Sequence, residues 1–165
     1  KKTSFYPSPR RSVPTPPDHS RDDGWIGLVA AAALKRGALI HRASMLMTGV
    51  SLIVLLCATM GAAHGQAGAL LAAVALLCGA AEFGLAARVA FDADLFAALA
   101  RDGDLPGFDR AMTGLSLMPV TKAGRPMEAR AKGALRLLKR QAFVLAAQGA
   151  ALFVSLLLLT VRAPT

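Results

Sequence analysis

Residues 44 to 63 read SMLMTGVSLIVLLCATMGAA, a run of 20 residues that contains no charged side chain. As an α-helix, this run reaches about 30 Å, which is the thickness of the hydrocarbon layer of a bilayer. Helix is expected because backbone groups in lipid must satisfy one another within the segment. The stretch therefore predicts a first transmembrane helix.

Two further apolar runs have a similar length. Residues 67 to 87 are apolar except for Glu82, and residues 141 to 161 contain Gln148 as their most polar member. The chain is 55% hydrophobic with a mean hydropathy of +0.48, and that apolar content is gathered into these runs. We predict an all-α integral membrane protein with three transmembrane helices at 44–63, 67–87 and 141–161.

The placement of the cations predicts the orientation of these helices. Eight Lys and Arg residues precede the first run, ten lie between residues 88 and 140, and one follows the third run. The positive-inside rule then predicts a cytoplasmic amino-terminus, a cytoplasmic 88–140 loop and an external carboxyl-terminus. This distribution explains the formal net charge of +9 without a nucleic-acid partner. The high alanine and low lysine content of the sequence favours a bacterial inner membrane.

The segment before the first run divides into two parts. Residues 1 to 24 hold five of the nine prolines and few apolar residues, which predicts a disordered cytoplasmic tail. Residues 11 to 17 also fit an R-x-x-P-x-x-P polyproline ligand. Residues 25 to 42 predict an interfacial amphipathic helix. Within it we expect a lipid-interface set that anchors at the headgroups and on anionic lipid: Trp25, Lys35 and Arg36.

The cytoplasmic loop between the second and third runs is predicted to be helical. The second helix should continue to about Arg101 and end at Gly103, a short helix should begin at Pro106, and the last helix should begin at Pro126. Apolar stripes on both extensions predict an antiparallel stem. We expect ion pairs across the stem between two acids and two arginines, namely Asp92 and Asp94 with Arg136 and Arg140.

Glu82 is the one ionisable residue well inside a predicted span, and such an acid is costly enough to suggest a role. Small residues that mark a helix-packing face share its side of the helix: Ala72, Ala75, Gly79 and Ala86. Thr48 and Gln148 lie at a similar predicted depth. The three polar residues predict an intramembrane layer in which Glu82, as the neutral acid, hydrogen-bonds Gln148 or Thr48.

No grouping of residues predicts catalysis, a metal site or a cofactor. His41 and His64 flank the first run and lie about 35 Å apart along a helix, too far apart to share a metal ion or haem. Cys57 and Cys78 fall inside apolar runs without CxxC spacing. We therefore expect neither an enzyme nor a cofactor-binding protein.

Three hypotheses about function remain. The first is an accessory or scaffold subunit of a larger membrane complex, held to other membrane subunits or to copies of itself by small-residue helix faces. The second is a proton- or ion-coupled transporter subunit that uses Glu82. The third is a membrane anchor that presents the proline-rich tail. Membrane lipid is the partner common to all three.

Overall fold

The computed structural model describes residues 19–60 and 66–161, and every regular element in those ranges is helical. The elements in chain order are α1 (His19–Lys35), α2 (Gly37–Met60), α3 (Gln66–Asp102), α4 (Leu105–Gly114), a 3-10 turn (Val120–Lys122) and α5 (Met127–Val161). Three helical stretches are long and apolar enough to cross a membrane: Asp22–Thr59, Gln66–Asp102 and Met127–Thr160. The predicted all-α class with three such helices is confirmed.

The long helices are nearly twice as long as the apolar runs within them. The 37 residues of α3 reach about 55 Å, against about 30 Å of bilayer hydrocarbon. Helix α3 runs antiparallel to α2 and α5, which are parallel to each other. Each long stretch therefore has an apolar half and a second half in which charged residues appear.

The buried faces of the long helices follow one repeat. In α3 the buried residues alternate at spacings of four and three over most of the helix: Gly68, Ala72, Ala75, Gly79, Glu82, Val89, Ala93 and Phe96. Buried residues of α5 show the same spacings: Met127, Ala131, Ala134, Gln141, Gln148, Leu152 and Ser155. This is the 3.5-residue period of left-handed coiled coils. Gly37, Ser44, Ser51 and Val54 of α2 are buried at the same spacings, so the three helices share one continuous seam.

Helix α1 packs against protein along this seam. It begins at His19, whereas the sequence predicted a helix from residue 25. Its Ala30, Ala31 and Leu34 are buried in one apolar cluster with side chains of α3 and α5. Protein therefore covers the face of α1 that carries these three residues, whereas the predicted lipid-interface residues Trp25, Lys35 and Arg36 are exposed, and their contact with lipid stays a prediction. Of the predicted tail, residues 1–24, the last six form the start of α1, and residues 1–18 lie outside the described residues.

In the connection from α3 to α5, the helices begin and end within one residue of the positions predicted from the sequence. Gly103, with φ +67°, ends α3, because the left-handed region favours glycine. The carboxylate of Asp104 accepts a hydrogen bond of 2.8 Å from the backbone N–H of Gly107 and so caps α4. Leu105 and Phe108 of α4 then pack against the apolar cluster that α1, α3 and α5 share.

The ion pairs differ from the predicted set. Asp92 pairs with Arg88 of its own helix, at 3.5 Å. Among the described residues, Asp94, Arg136 and Arg140 take part in no ion pair. The predicted pairing across the stem is therefore corrected. The two helices meet there through small and apolar side chains, and Arg136 and Arg140 of α5 are exposed.

A different ion pair fastens α4 to α5. The Nη2 atom of Arg130 lies 2.8 Å from Oδ1 of Asp109, and both side chains are 11% exposed. The other oxygen of Asp109 accepts a 2.7 Å hydrogen bond from the backbone N–H of Gly124, whose φ is +73°. One carboxylate therefore fixes both the arginine and the turn that leads into α5.

Candidate functional site

A polar layer centred on Glu82 lies where the apolar halves of the helices meet the charged halves. Glu82 is 0% exposed. Its Oε1 accepts a 2.7 Å hydrogen bond from Nε2 of Gln141, and its Oε2 lies 3.0 Å from Nδ1 of His41. We call this arrangement the Glu82 layer. It joins α2, α3 and α5 through a single buried carboxyl group.

Gln141 links the layer to the start of α2. Its Nε2 also donates a 3.1 Å hydrogen bond to the carbonyl oxygen of Gly37. A Cβ atom at position 37 would lie 2.9 Å from Oε1 of Gln141 and 2.9 Å from Cγ1 of Val89. Glycine at position 37 is therefore what allows α2 to approach the other two helices this closely. The Oε1 atom of Gln141 is buried without a hydrogen-bond partner among the described residues.

His41 connects the buried carboxyl group to the surface of the bundle. Its side chain is 29% exposed, and it lines a groove of about 330 Å³ between α3 and the α1–α2 stretch. The imidazole ring tilts against Phe83, with ring centroids 5.7 Å apart. Lys35 and Asp94 also line this groove. The buried carboxyl group of Glu82 is therefore one side chain away from the exterior.

A second polar layer, the Gln148 layer, lies two helical turns further along α2 and α5. Ser44 Oγ donates a 2.7 Å hydrogen bond to Oε1 of Gln148. Nε2 of Gln148 donates to Thr48 Oγ1 at 2.9 Å and to the Ser44 carbonyl oxygen at 3.2 Å. A Cβ atom at Gly79 would clash with Thr48 Oγ1 and lie 3.0 Å from Gln148 Nε2. The layer thus requires a glycine on α3.

A third polar contact lies near the other end of the apolar halves. Ser155 Oγ donates a 2.7 Å hydrogen bond to the carbonyl oxygen of Gly68. Gln141, Gln148 and Ser155 are each seven residues apart on α5, which places the layers about 10 Å from one another. Buried apolar residues such as Ala75 and Leu152 separate them. A hydrogen bond cannot cross such a spacing, so the layers are separate clasps along the seam.

The predicted polar layer is split between two levels. Thr48 and Gln148 hydrogen-bond each other, as their similar predicted depth suggested. Glu82 instead lies one level away, with His41 and Gln141. Sequence reasoning treated Gln141 as the boundary of a span and His41 as an interfacial residue. The seven-residue spacing between Gln141 and Gln148 is the sequence signal that would have identified this second level.

The predicted small-residue face is used inside the chain. Ala72 and Ala75 are 0% exposed, and Gly79 is buried beside Thr48 and Gln148. Ala86 is half-buried and lines the groove at His41. The expectation that this face joins another subunit is therefore corrected, because α2 and α5 of the same chain cover it.

Within the described ranges, no three His, Cys, Asp or Glu side chains are grouped so that they could hold a metal ion. Cys57 and Cys78 are free. No family model, no curated protein and no solved structure matches this chain.

Proposed function

We propose that this chain is a non-catalytic accessory or scaffold subunit of a larger membrane assembly, and that its apolar halves cross the bilayer with the amino-terminus on the cytoplasmic side. Support for insertion comes from the outer surface of those halves, where large apolar side chains face outward, among them Leu46, Leu77, Phe143 and Phe153. Polar side chains at the same level, such as Glu82, turn inward. This is the distribution that a hydrocarbon solvent favours.

An apolar patch on α1 supports the subunit role. Trp25 and Val29 are 65% and 66% exposed, and Leu28 between them is 46% exposed. We call these three residues the α1 patch. The opposite face of α1 is already buried against α3 and α5. An exposed tryptophan with apolar neighbours is typical of a protein contact surface.

The position of the α1 patch argues against lipid as its partner. A Cβ atom at Gly27 would lie 3.0 Å from the Cβ of Ala100. Ala100 is 12 residues beyond Arg88, which closes the second span, so this level is about 18 Å beyond the apolar half. Trp25 is therefore too far from the proposed bilayer surface to be the headgroup anchor expected from sequence. We propose that another protein covers the patch.

Assembly size in native membranes tests the subunit role. Blue-native electrophoresis should resolve the chain in a species larger than its mass of 17.1 kDa. The double variant Trp25→Glu/Val29→Glu should shift it to a smaller species, because two carboxylates then occupy the contact. Ala111→Glu, at an exposed position of α4, is the control and should leave the larger species intact. A wild-type chain that migrates alone would contradict the proposal.

Insertion and orientation need a separate test. The chain should stay with the membrane pellet after carbonate washing. A periplasmic-type phosphatase fused after Thr165 should be active, and a fluorescent protein fused there should be dark. A chain released by carbonate would overturn the membrane assignment, and a bright fluorescent fusion would overturn the orientation.

A second candidate function is proton binding or coupling at Glu82, favoured by the contact of that buried acid with the partly exposed His41. Reconstituted into liposomes with a pH-sensitive dye, the wild type should exchange protons faster than Glu82→Gln, which keeps the shape of the side chain. Glu128→Gln, at an exposed ion pair, is the control. Equal rates for all three proteins would exclude this candidate and leave Glu82 as a clasp.

A further inference from the structure

A second cavity lies on the side of the bundle away from α1. It has a volume of about 320 Å³ and is enclosed by the charged halves of α3 and α5, with α4 and the segment before α5 across it. Its floor is apolar and includes Leu95, Phe96, Leu99 and Leu137. We call it the α4 cavity.

Cations dominate the charge of the α4 cavity. A single acid, Asp92, lines it. Four basic side chains line it as well: Arg88, Lys122, Arg125 and Arg130. Arg88 pairs with Asp92 and Arg130 pairs with Asp109. Within the described ranges, Lys122 and Arg125 take part in no ion pair. Two positive charges at the rim are therefore available to an anion.

The position of the cavity brings it to the proposed membrane surface. Arg88 is the first residue after the second apolar run, and Leu137 lies four residues before Gln141, which begins the third. One end of the cavity is therefore within about 6 Å of the proposed bilayer boundary. Arg125 lies at the other end, because its carbonyl oxygen accepts a 2.9 Å hydrogen bond from Nε of Arg130, which is 11 residues before Gln141 and so about 17 Å beyond that boundary. The segment that carries Lys122 also exposes Leu115, Leu117 and Val120, so apolar and cationic side chains occur together beside the opening.

We propose that the α4 cavity binds an anionic phospholipid drawn partly out of the cytoplasmic leaflet, with the headgroup on Lys122 and Arg125 at the outer end and part of an acyl chain on the apolar floor that leads back towards the bilayer. Basic side chains beside an apolar groove whose other end opens near the bilayer surface fit this chemistry. The tail of this chain is a poor occupant, because residues 1–18 carry four cations and one acid. A second copy, with its own net charge of +9, is equally disfavoured. The proposal rests on membrane insertion, which carbonate washing tests separately.

Native mass spectrometry from nanodiscs tests the proposal. The discs contain equal amounts of phosphatidylglycerol and phosphatidylcholine with the same acyl chains, and the readout is the ratio of the two lipids retained by the protein. The wild type should retain phosphatidylglycerol in excess. Lys122→Glu/Arg125→Glu should lower that ratio by about tenfold or more, because each cation near an anionic lipid contributes independently.

Two matched variants separate a built site from general surface charge. Arg136→Glu/Lys139→Glu makes the same change of charge at exposed residues of α5 that do not line the cavity, and it should keep the wild-type ratio. Gly133 lines the cavity, and a Cβ atom there would meet nothing within 4 Å. Gly133→Leu should therefore fill the floor and displace the lipid while the net charge stays constant. Gly84→Leu, at an exposed glycine with the same free space, should not.

The proposal is overturned in three ways. The two charge variants could lower the ratio equally, which would indicate surface attraction alone. Gly133→Leu could retain phosphatidylglycerol as the wild type does. Inorganic phosphate could raise the melting temperature of the detergent-solubilised protein as much as phosphatidylglycerol does, which would assign the cations to a soluble anion.

Discussion

Oε2 of Glu82 lies 3.0 Å from Nδ1 of His41, while Oε1 of the same carboxyl group accepts a hydrogen bond from Gln141. The acid therefore has a partner on each of the two helices that flank α3. A buried polar group with partners on two neighbours fixes the register of all three, because sliding by one turn would leave it unsatisfied.

Removing the Glu82 side chain should cost far more than neutralising it. Glu82→Ala leaves the Gln141 amide and His41 without their buried partner, so we expect a loss of about 3 kcal/mol in the free energy of unfolding. Glu82→Gln keeps a donor and an acceptor in place and should cost about 1 kcal/mol or less. Reversible unfolding in mixed detergent micelles measures both. Equal losses for the two variants would show that the charge of Glu82, and not its hydrogen bonds, stabilises the protein at this position.

Two glycines of α3 should respond in opposite ways to the same substitution. Gly79→Ala places a methyl group against Thr48 Oγ1 and Gln148 Nε2, so we expect a loss of about 1–3 kcal/mol. Gly84→Ala points into free space and should be neutral or stabilising by about 0.5–1 kcal/mol. The melting temperatures of the two variants in detergent provide the comparison. A stable Gly79→Ala would mean that α2 and α5 do not approach α3 as closely as described.

The lengths of the apolar runs predicted the all-helical class and the three long helices, and the glycine at position 103 predicted the end of α3. The extent of α1 could not be predicted in the same way, because its composition fits both a lipid surface and a protein groove. Its partner is formed by residues such as Phe96 and Met127, which are distant in sequence. The similar predicted depth of Thr48 and Gln148 correctly placed these two residues in one layer. It failed for Glu82, because depth alone does not give the rotation of each helix about the seam.

The ion pair between Asp109 and Arg130 should stabilise the connection before α5. Asp109→Ala removes the counter-charge of a nearly buried guanidinium and the acceptor of the Gly124 N–H, so we expect a loss of about 2–3 kcal/mol. Limited proteolysis should then cut the segment between α4 and α5 faster than in the wild type. Lys132→Ala removes one partner of an exposed pair and is the control, with an expected effect of less than about 1 kcal/mol. Similar cleavage of both variants would argue against a structural role for Asp109.

Asp92 should make the free energy of unfolding decrease as the pH rises, whereas a paired surface acid makes it decrease as the pH falls. Burial raises the pKa of Asp92 above its ordinary value of 3.8, and the nearby charge of Arg88 opposes that rise only in part. Its stabilising contribution is therefore present below pH 3.8 and is lost as pH rises through the raised pKa. Asp92→Asn should accordingly melt at a higher temperature than the wild type at neutral pH.

The advantage of Asp92→Asn should shrink as the pH falls towards 4, because the wild-type side chain is then neutral as well. Glu128→Gln provides a control of opposite sign. The hydrogen bond from Lys132 lowers the pKa of Glu128 below 4.5, so its contribution is present at neutral pH and is lost on acidification. This variant should melt slightly below the wild type at pH 7 and match it in acid. Melting temperatures of the wild type and the two variants, measured in one detergent across this pH range, test both expectations. If the melting-temperature advantage of Asp92→Asn instead grows on acidification, that result would contradict the burial of this carboxyl group.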